Sequence, residues 1–342
     1  MDKIDIYVPE NIGLMLEYDA LMFEILKTDK KTNKTTINKN KFLSMLIVGY
    51  YKDYVSEAKS AKEAILAAID TDKISTDEKE TIANNILNNI VLPVAPSRKG
   101  KNPKKLSLKP TTATETLIKQ IERDNDGYPS QYLCRMFMSY CSKPFSQRER
   151  IIFKDKYDTI HNACKSCQII SFRTIWNQNN LHEVIPYKIV TGSEEMFNYL
   201  LCAEINPVTN KQETKSYRLN RIFATINCSE NIGIIDNDVK EHLEMMIKYG
   251  PAYCINDDEE TQVRLTNDGV RDFNRIYFGR PIVDDIKEHD GVYDYYFKGS
   301  KDQIYFYFRR FGNGDAEIIS PVSLRTKMID FHAKAINKYE ER

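Results

Sequence analysis

The chain lacks any apolar run approaching the length that crosses a bilayer, and its opening MDKIDIYVPE lacks the pattern of a secretory signal, so a cytoplasmic protein with no membrane partner is expected. Histidine is sparse, with five scattered residues, and no Walker motif, G-x-G-x-x-G, G-x-S-x-G or H-E-x-x-H occurs. Those gaps leave an enzyme without support. The acidic stretch DTDKISTDEKE, 70–80, lacks the glycine and the closing glutamate of a calcium loop. Cysteine is present but unpatterned: seven residues, at 134, 141, 164, 167, 202, 228 and 254, an odd number that fits a reducing compartment. Cys164 and Cys167 alone form a C-x-x-C, with His161 one helical turn before them and no second pair near in sequence. Packing rather than zinc is the reading, and no metal or cofactor is expected.

Net charge is also absent, since 49 basic residues balance 49 acidic ones. The balance is uneven along the chain. Residues 229–342 carry 16 Lys and Arg against 22 Asp and Glu, leaving 33 against 27 for residues 1–228, so the first two-thirds is the better place for a polyanion. At 342 residues, with 21 Tyr and 15 Phe against one Trp, the chain can build several packed cores. Two basic runs stand out. KTDKKTNKTTINKNK, 27–41, holds six lysines, among them Lys30, Lys31 and Lys34, against Asp29; RKGKNPKKLSLK, 98–109, holds six basic residues, among them Arg98, Lys99, Lys101, Lys104 and Lys105, and no acid. Either is a solvated loop or a nucleic-acid contact.

One pattern occurs twice: an alternating strand ending in proline, a helix, a turn and a second helix with a dense apolar face. The first copy, about 1–66, starts at DKIDIYVPEN and the second, about 104–145, at KKLSLKPTTA. Alternation points Ile4, Ile6 and Val8 inward in one strand and Leu106 and Leu108 in the other, and Pro9 and Pro110 precede the helices. The 27–41 run reads as a lysine-rich loop, and the linker 67–103 contains a helix after Thr76. These units resemble the ribbon-helix-helix family, in which two copies pair their strands into one antiparallel ribbon. The resemblance implies a pair within this chain, presenting Lys3, Asp5 and Tyr7 beside Lys105, Ser107 and Lys109, where Asp5 would be repelled by DNA phosphates.

Residues 148–228 run from the helix RERIIFKDKYDTIHNAC through QIISFRTIW and further strands to KSYRLNRIFATI. Alternation places Lys215 and Arg221 on one face of that last segment and Arg218 on the other, where each is solvated, paired with a local carboxylate, or at a ligand groove. Pro186-Tyr187, Asn198-Tyr199-Leu200 and Tyr217-Arg218-Leu219-Asn220-Arg221-Ile222 resemble the WYL domain, a small Sm-like β-barrel, with Asn198 and Asn220 standing where the family has tryptophan and aspartate. The resemblance implies that Lys215, Arg218 and Arg221 edge a groove for nucleic acid, with Arg173, Tyr187 and Tyr199 converging there.

The remainder, with Ser320-Pro321 before Leu324-Arg325, is similar to the extension that follows WYL domains. That likeness makes IYFYFRRF, 304–311, a helix whose aromatics fill a core or a subunit interface. The expected fold is therefore α+β and multidomain: a ribbon-helix-helix-like helical domain (1–147), a central Sm-like barrel (148–229) and a C-terminal α+β sandwich (230–342) carrying a dimer contact. The combination resembles the WYL accessory proteins of type VI-D CRISPR systems. It implies a non-enzymatic protein that binds single-stranded RNA and stimulates an RNA-guided, RNA-cleaving effector; the alternative is a DNA-binding transcription regulator with a ligand-sensing WYL domain.

Overall fold

The structure, a computed structural model, describes residues 2–69, 73–92, 103–124, 129–192 and 196–340, and divides into two compact units whose boundary falls after Tyr157.

In the first unit, β1 (Ile4–Val8) leads through Pro9 into α1 (Glu10–Met22). A hairpin of β2 (Leu26–Thr28) and β3 (Thr35–Ile37) precedes α2 (Lys39–Ala68). Then come α3 (Thr76–Ile86), running into a π-helical turn Leu87–Val91, β4 (Lys104–Leu108), α4 (Thr112–Asp124), α5 (Pro129–Cys141) and α6 (Phe145–Ile152). The boundary between the units lies inside α7 (Lys154–Ser166). β1 pairs antiparallel with β4, Ile6 opposite Leu106 and Ile4 opposite Leu108. Ile6, Val8, Leu106 and Leu108 face the core, while Asp5, Tyr7, Lys105 and Ser107 form the other face.

The core is built on α2, whose Phe42, Leu43, Leu46, Ile47, Tyr50 and Tyr54 recur at helical spacing and are buried. Gly49 on the same helix allows α6 to come close, because a Cβ there would collide with the carbonyl oxygen of Ile151. Residues 27–41 are not one loop. Thr28 pairs with Thr35 and Leu26 with Ile37, and the turn between them is fixed by Asp29, whose carboxylate accepts from the backbone N–H groups of Lys31 and Thr32. The threonines and Ile37 supply strand-forming side chains that the lysines obscure in the sequence. The helix expected after Thr76 begins there, closed by a reciprocal Ser75–Glu78 cap.

In the second unit, β5 (Gln168–Thr174), β6 (His182–Thr191), β7 (Asn198–Ile205), β8 (Gln212–Arg218), a 3-10 turn (Leu219–Arg221) and β9 (Ile222–Ile232) form one antiparallel sheet in the order β8-β7-β6-β5-β9. Bulges at Pro186–Lys188 and along the β5–β9 ladder let it bend. It does not close into a barrel: β8 and β9 are its two edges. Residues 251–256 bond to β8, at its edge through the Thr214 N–H and on one face through the Thr214 and Ser216 hydroxyls. Thr214 N donates to Asn256 Oδ1 at 2.8 Å, Thr214 Oγ1 to the Ile255 carbonyl at 2.9 Å, and Ser216 Oγ to the Pro251 carbonyl. One face is covered by α8 (Asn237–Tyr249), whose Val239, Leu243 and Met246 pack with Leu201 and Ala203 of β7.

Beyond α8 lie β10 (Thr261–Leu265), α9 (Asn267–Arg275), β11 (Asp285–His289), β12 (Val292–Phe297), α10 (Lys301–Phe308), β13 (Ala316–Ser320) and α11 (Val322–Glu340). The four strands form a second sheet, β11-β12-β10-β13, with α9 and α11 packed against it. IYFYFRRF is helical over its first five residues. Its residue types suit a strand, yet Ile304, Tyr307, Phe308 and Phe311 at helical spacing fill the core with Phe273 and Phe297, and that packing decides the matter.

Candidate nucleic-acid interface

The segment Lys215–Arg221 is divided by strand alternation and by what covers each face. Thr214, Ser216 and Arg218 share the face bonded to residues 251–256, and Lys215 and Tyr217 share the other. On that second face Tyr217 Oη donates to Glu204 Oε2 at 2.7 Å and lies 3.0 Å from His182 Nδ1, against the buried Phe172. Burial, then the Glu204 carboxylate, raises the phenol far above its ordinary range. Lys215 Nζ lies 3.2 Å from Glu213 Oε2.

Arg218 lays its guanidinium on Phe197, with Cζ 3.4 Å from the ring centroid, and stands opposite Tyr199 in the β7–β8 ladder. Tyr199 is only 5% exposed. Tyr187 is half-buried against the α8 layer and donates its hydroxyl to Glu244; burial, then that carboxylate, pushes its pKa up to about 12. Tyr199 offers no open ring face to a base. The six groove candidates are therefore not gathered at one place.

A different group, exposed at Trp176, Arg173 and Phe223 and half-buried at Arg221, lies around the end of β5. Arg221 Cζ stands 5.7 Å from the ring centroid of Trp176, and that tryptophan, just past β5, is 74% exposed. The Ile175 N–H donates to the Arg221 carbonyl at 3.0 Å, which ties the end of β5 to the 3-10 turn. Arg173, exposed, pairs in the β5–β9 ladder with Phe223, which is 39% exposed. Arg173 meets no carboxylate among the described residues. The exposed Arg173 can take phosphate on its fork, and the rings of Phe223 and Trp176, the latter beside the half-buried Arg221, can take a base on a face. Arg173 and Arg221 were legible in the sequence; Trp176 and Phe223 were missed, although a lone tryptophan just before an Asn-rich turn is the signal that could have found the first.

The lysines of the first unit differ from one another. Lys30, Lys31 and Lys34 are exposed around the β2–β3 turn. Lys104 belongs to the inner side of the ribbon, where its Nζ lies 2.6 Å from Glu17 Oε2, with Lys39 on the other oxygen of that carboxylate at 2.5 Å. Lys105 lies on the outer face, 2.7 Å from Asp5, which also accepts from Ser107 at 2.8 Å. Lys105 first, then Ser107, holds the Asp5 carboxyl below its ordinary range. Arg98, Lys99 and Lys101 lie outside the described residues. Cys164 is largely buried, and burial, then Cys167, pushes its thiol up to about 12, the state of a packing cysteine rather than a reactive one.

A solved structure described as the crystal structure of a CRISPR Cas-related protein matches with a TM-score of 0.65 at 19% sequence identity, over 99% of this chain and 94% of that one. The two share a fold. The likeness runs the length of both chains, so it includes both units described above. A second solved structure, proteasome accessory factor B/C (PafBC) of Arthrobacter aurescens, matches with a TM-score of 0.21 and 13% identity over 51% of this chain and 26% of that one, too slight a likeness to carry an argument. No family model matches the sequence. No curated protein matches it.

Proposed function

We propose that the chain is a non-enzymatic accessory protein of a CRISPR system that binds single-stranded RNA and stimulates an RNA-guided, RNA-cleaving effector in the cytoplasm. The observation that carries the RNA reading is the exposed Trp176 beneath Arg221, with Arg173 and Phe223 paired on the neighbouring ladder. Aromatic rings beside guanidiniums suit unpaired bases, whose faces a duplex hides. The shared fold with a protein described as CRISPR Cas-related supports the setting. The sheet of β5–β9, bent at Pro186 and carrying the Tyr217–Ile222 run, is the part read as a WYL domain, and the β1–β4 ribbon with its helix pairs is the part read as ribbon-helix-helix-like.

The DNA-regulator alternative needs the outer face of that ribbon to enter a major groove. Asp5 sits in the middle of it and holds Lys105 and Ser107, which engages the cation and the hydroxyl that phosphates or bases would have to meet. RNA is therefore preferred. In a side-by-side titration at fixed salt, single-stranded RNA should bind more tightly than duplex DNA, with log affinity falling against log salt by about 0.7 per neutralised phosphate. Replacing Lys30, Lys31 and Lys34 with serine should flatten that slope. A preference for a palindromic duplex would overturn the ranking.

The accessory protein is further proposed to act as a homodimer through α11. Val322, Ile329 and Ile336 recur every seven residues on that helix, all more exposed than buried, and Tyr339 extends the stripe. Such spacing is that of a helix seam. Light scattering on the full chain should give a dimer mass, and the Ile329→Glu, Ile336→Glu double variant a monomer mass. A monomeric parent, or a dimer that survives both substitutions, would sink the assignment.

A further inference from the structure

Where α10 and α11 begin, the second unit holds a cavity of about 300 Å³. The starts of both helices line it, with Ser300, Lys301 and Asp302 at α10 and Ser323, Leu324 and Lys327 on α11; Gly299 and residues 254–257 complete the wall. Two helix N-termini thus share one cavity, each with first-turn N–H groups that no earlier turn of its helix can satisfy. The size lies near the lower end for small-ligand sites.

Ser300 shows that the cavity is incomplete when empty. It stands at the N-cap of α10, where a serine hydroxyl ordinarily accepts from the first turn, and it makes no such bond. The residue is only 4% exposed, and its Oγ has no hydrogen-bond partner among the described residues. That oxygen is not sealed off as the unpartnered Thr261 hydroxyl is, and the residue lines the cavity, so its remaining surface opens there. A largely buried hydroxyl without a partner carries a desolvation cost that a bound acceptor relieves.

The charges around it are balanced and engaged with one another. Lys301 Nζ lies 2.9 Å from Asp257 and 2.5 Å from Glu259, and Lys327 Nζ lies 2.8 Å from Asp302 Oδ1. Neither lysine is a free cation. Asp302 is exposed, and its second oxygen has no hydrogen-bond partner among the described residues.

We propose that this cavity binds a zwitterionic α-amino acid with a small aliphatic side chain. Its carboxylate accepts from the Ser300 hydroxyl and the first-turn N–H groups, its ammonium meets the open oxygen of Asp302, and its side chain lies against Ile255 and Leu324. The balance of charge selects this occupant. A phosphate dianion would face Asp257 and Asp302 with no lysine to itself, and an organic cation would face two lysines and two helix N-termini. A polar side chain would find the Asn256 carbonyl engaged, since it accepts from Thr214 N at 2.8 Å.

The test is a calorimetric titration of the full chain with L-valine. Isobutylamine and 3-methylbutanoate, which are valine without its carboxylate and without its ammonium, serve as single-charge probes, and inorganic phosphate as the competing anion. Valine should saturate a single site at millimolar concentration or below, and each single-charge probe should bind at least about tenfold more weakly. Ser300→Ala should weaken valine binding about tenfold. Asp302→Asn should weaken valine and strengthen 3-methylbutanoate, because it removes the partner of the ammonium and frees Lys327. Absence of saturation by valine, equal binding of valine and 3-methylbutanoate by the parent chain, or tighter binding of phosphate than of valine would overturn the proposal whether or not the variants fold. So would parental valine affinity in a folded Ser300→Ala chain.

Discussion

Asp19→Ala should lower the melting temperature of the first unit by roughly 10 °C, a loss of about 3–5 kcal/mol. Asp19 is fully buried on α1 and receives both arms of the Arg148 fork, Nε to Oδ2 at 2.7 Å and Nη2 to Oδ1 at 2.9 Å. Tyr140 Oη adds a third bond at 2.9 Å, and Arg148 Nη1 reaches the Lys143 carbonyl at 2.7 Å. Three helices, α1, α5 and α6, are thus tied by one carboxylate. Removing it leaves a largely buried guanidinium and a fully buried phenol without their anion. The large term is this orphaned charge and not the worth of the pair, so replacing both partners with apolar residues, Asp19→Leu with Arg148→Met, should recover much of the loss. Tyr140→Phe should cost only about 1 kcal/mol, since the carboxylate keeps its arginine. Calorimetry on the full chain checks all three, and a loss below about 1 kcal/mol for Asp19→Ala would show that the network does not hold the helices together.

That network also marks where sequence reading stops. Asp19 and Arg148 are separated by 129 positions, and nothing local distinguishes them from solvated charges. The inward positions of β1 and β4 were legible, because strand alternation next to a helix-starting proline is a local signal. The β2–β3 hairpin was not, since its lysines hid a threonine-rich strand pair. The helix at 304–308 contradicts its own β-prone residue types and was legible only through resemblance. Among the groove residues, alternation correctly separated Arg218 from Lys215, but it could not say that α8 covers the face carrying Tyr187, or that Tyr199 is buried. Covering a face is a tertiary fact. Trp176 escaped for the converse reason: it lies past the end of a strand, where periodicity assigns no face.

Trp176→Ala should weaken single-stranded RNA binding by about tenfold to a hundredfold while leaving the melting temperature nearly unchanged. A stacked base contributes about 1–3 kcal/mol, and a side chain 74% exposed contributes little to packing. Arg221→Ala should fall in the same range, and Arg221→Lys should recover only part of it, because lysine keeps the charge but loses the planar fork and the stacking surface beside Trp176. Arg173→Ala, removing an exposed charge opposite Phe223, should act chiefly through the salt slope. Arg218 provides the contrast. Its guanidinium lies 3.4 Å from the centroid of the buried Phe197 ring, so Arg218→Ala should lower stability through lost packing and cation–π contact. Tyr187→Phe, which removes only the hydroxyl bonded to Glu244, should leave RNA affinity as it is. Measurement at physiological salt matters, since it reduces the non-specific attraction of Lys30, Lys31 and Lys34. A folded Trp176→Ala, Arg221→Ala double variant with parental RNA affinity under those conditions would remove the second unit's open patch as the binding surface and leave the lysines of the first unit as the remaining candidates.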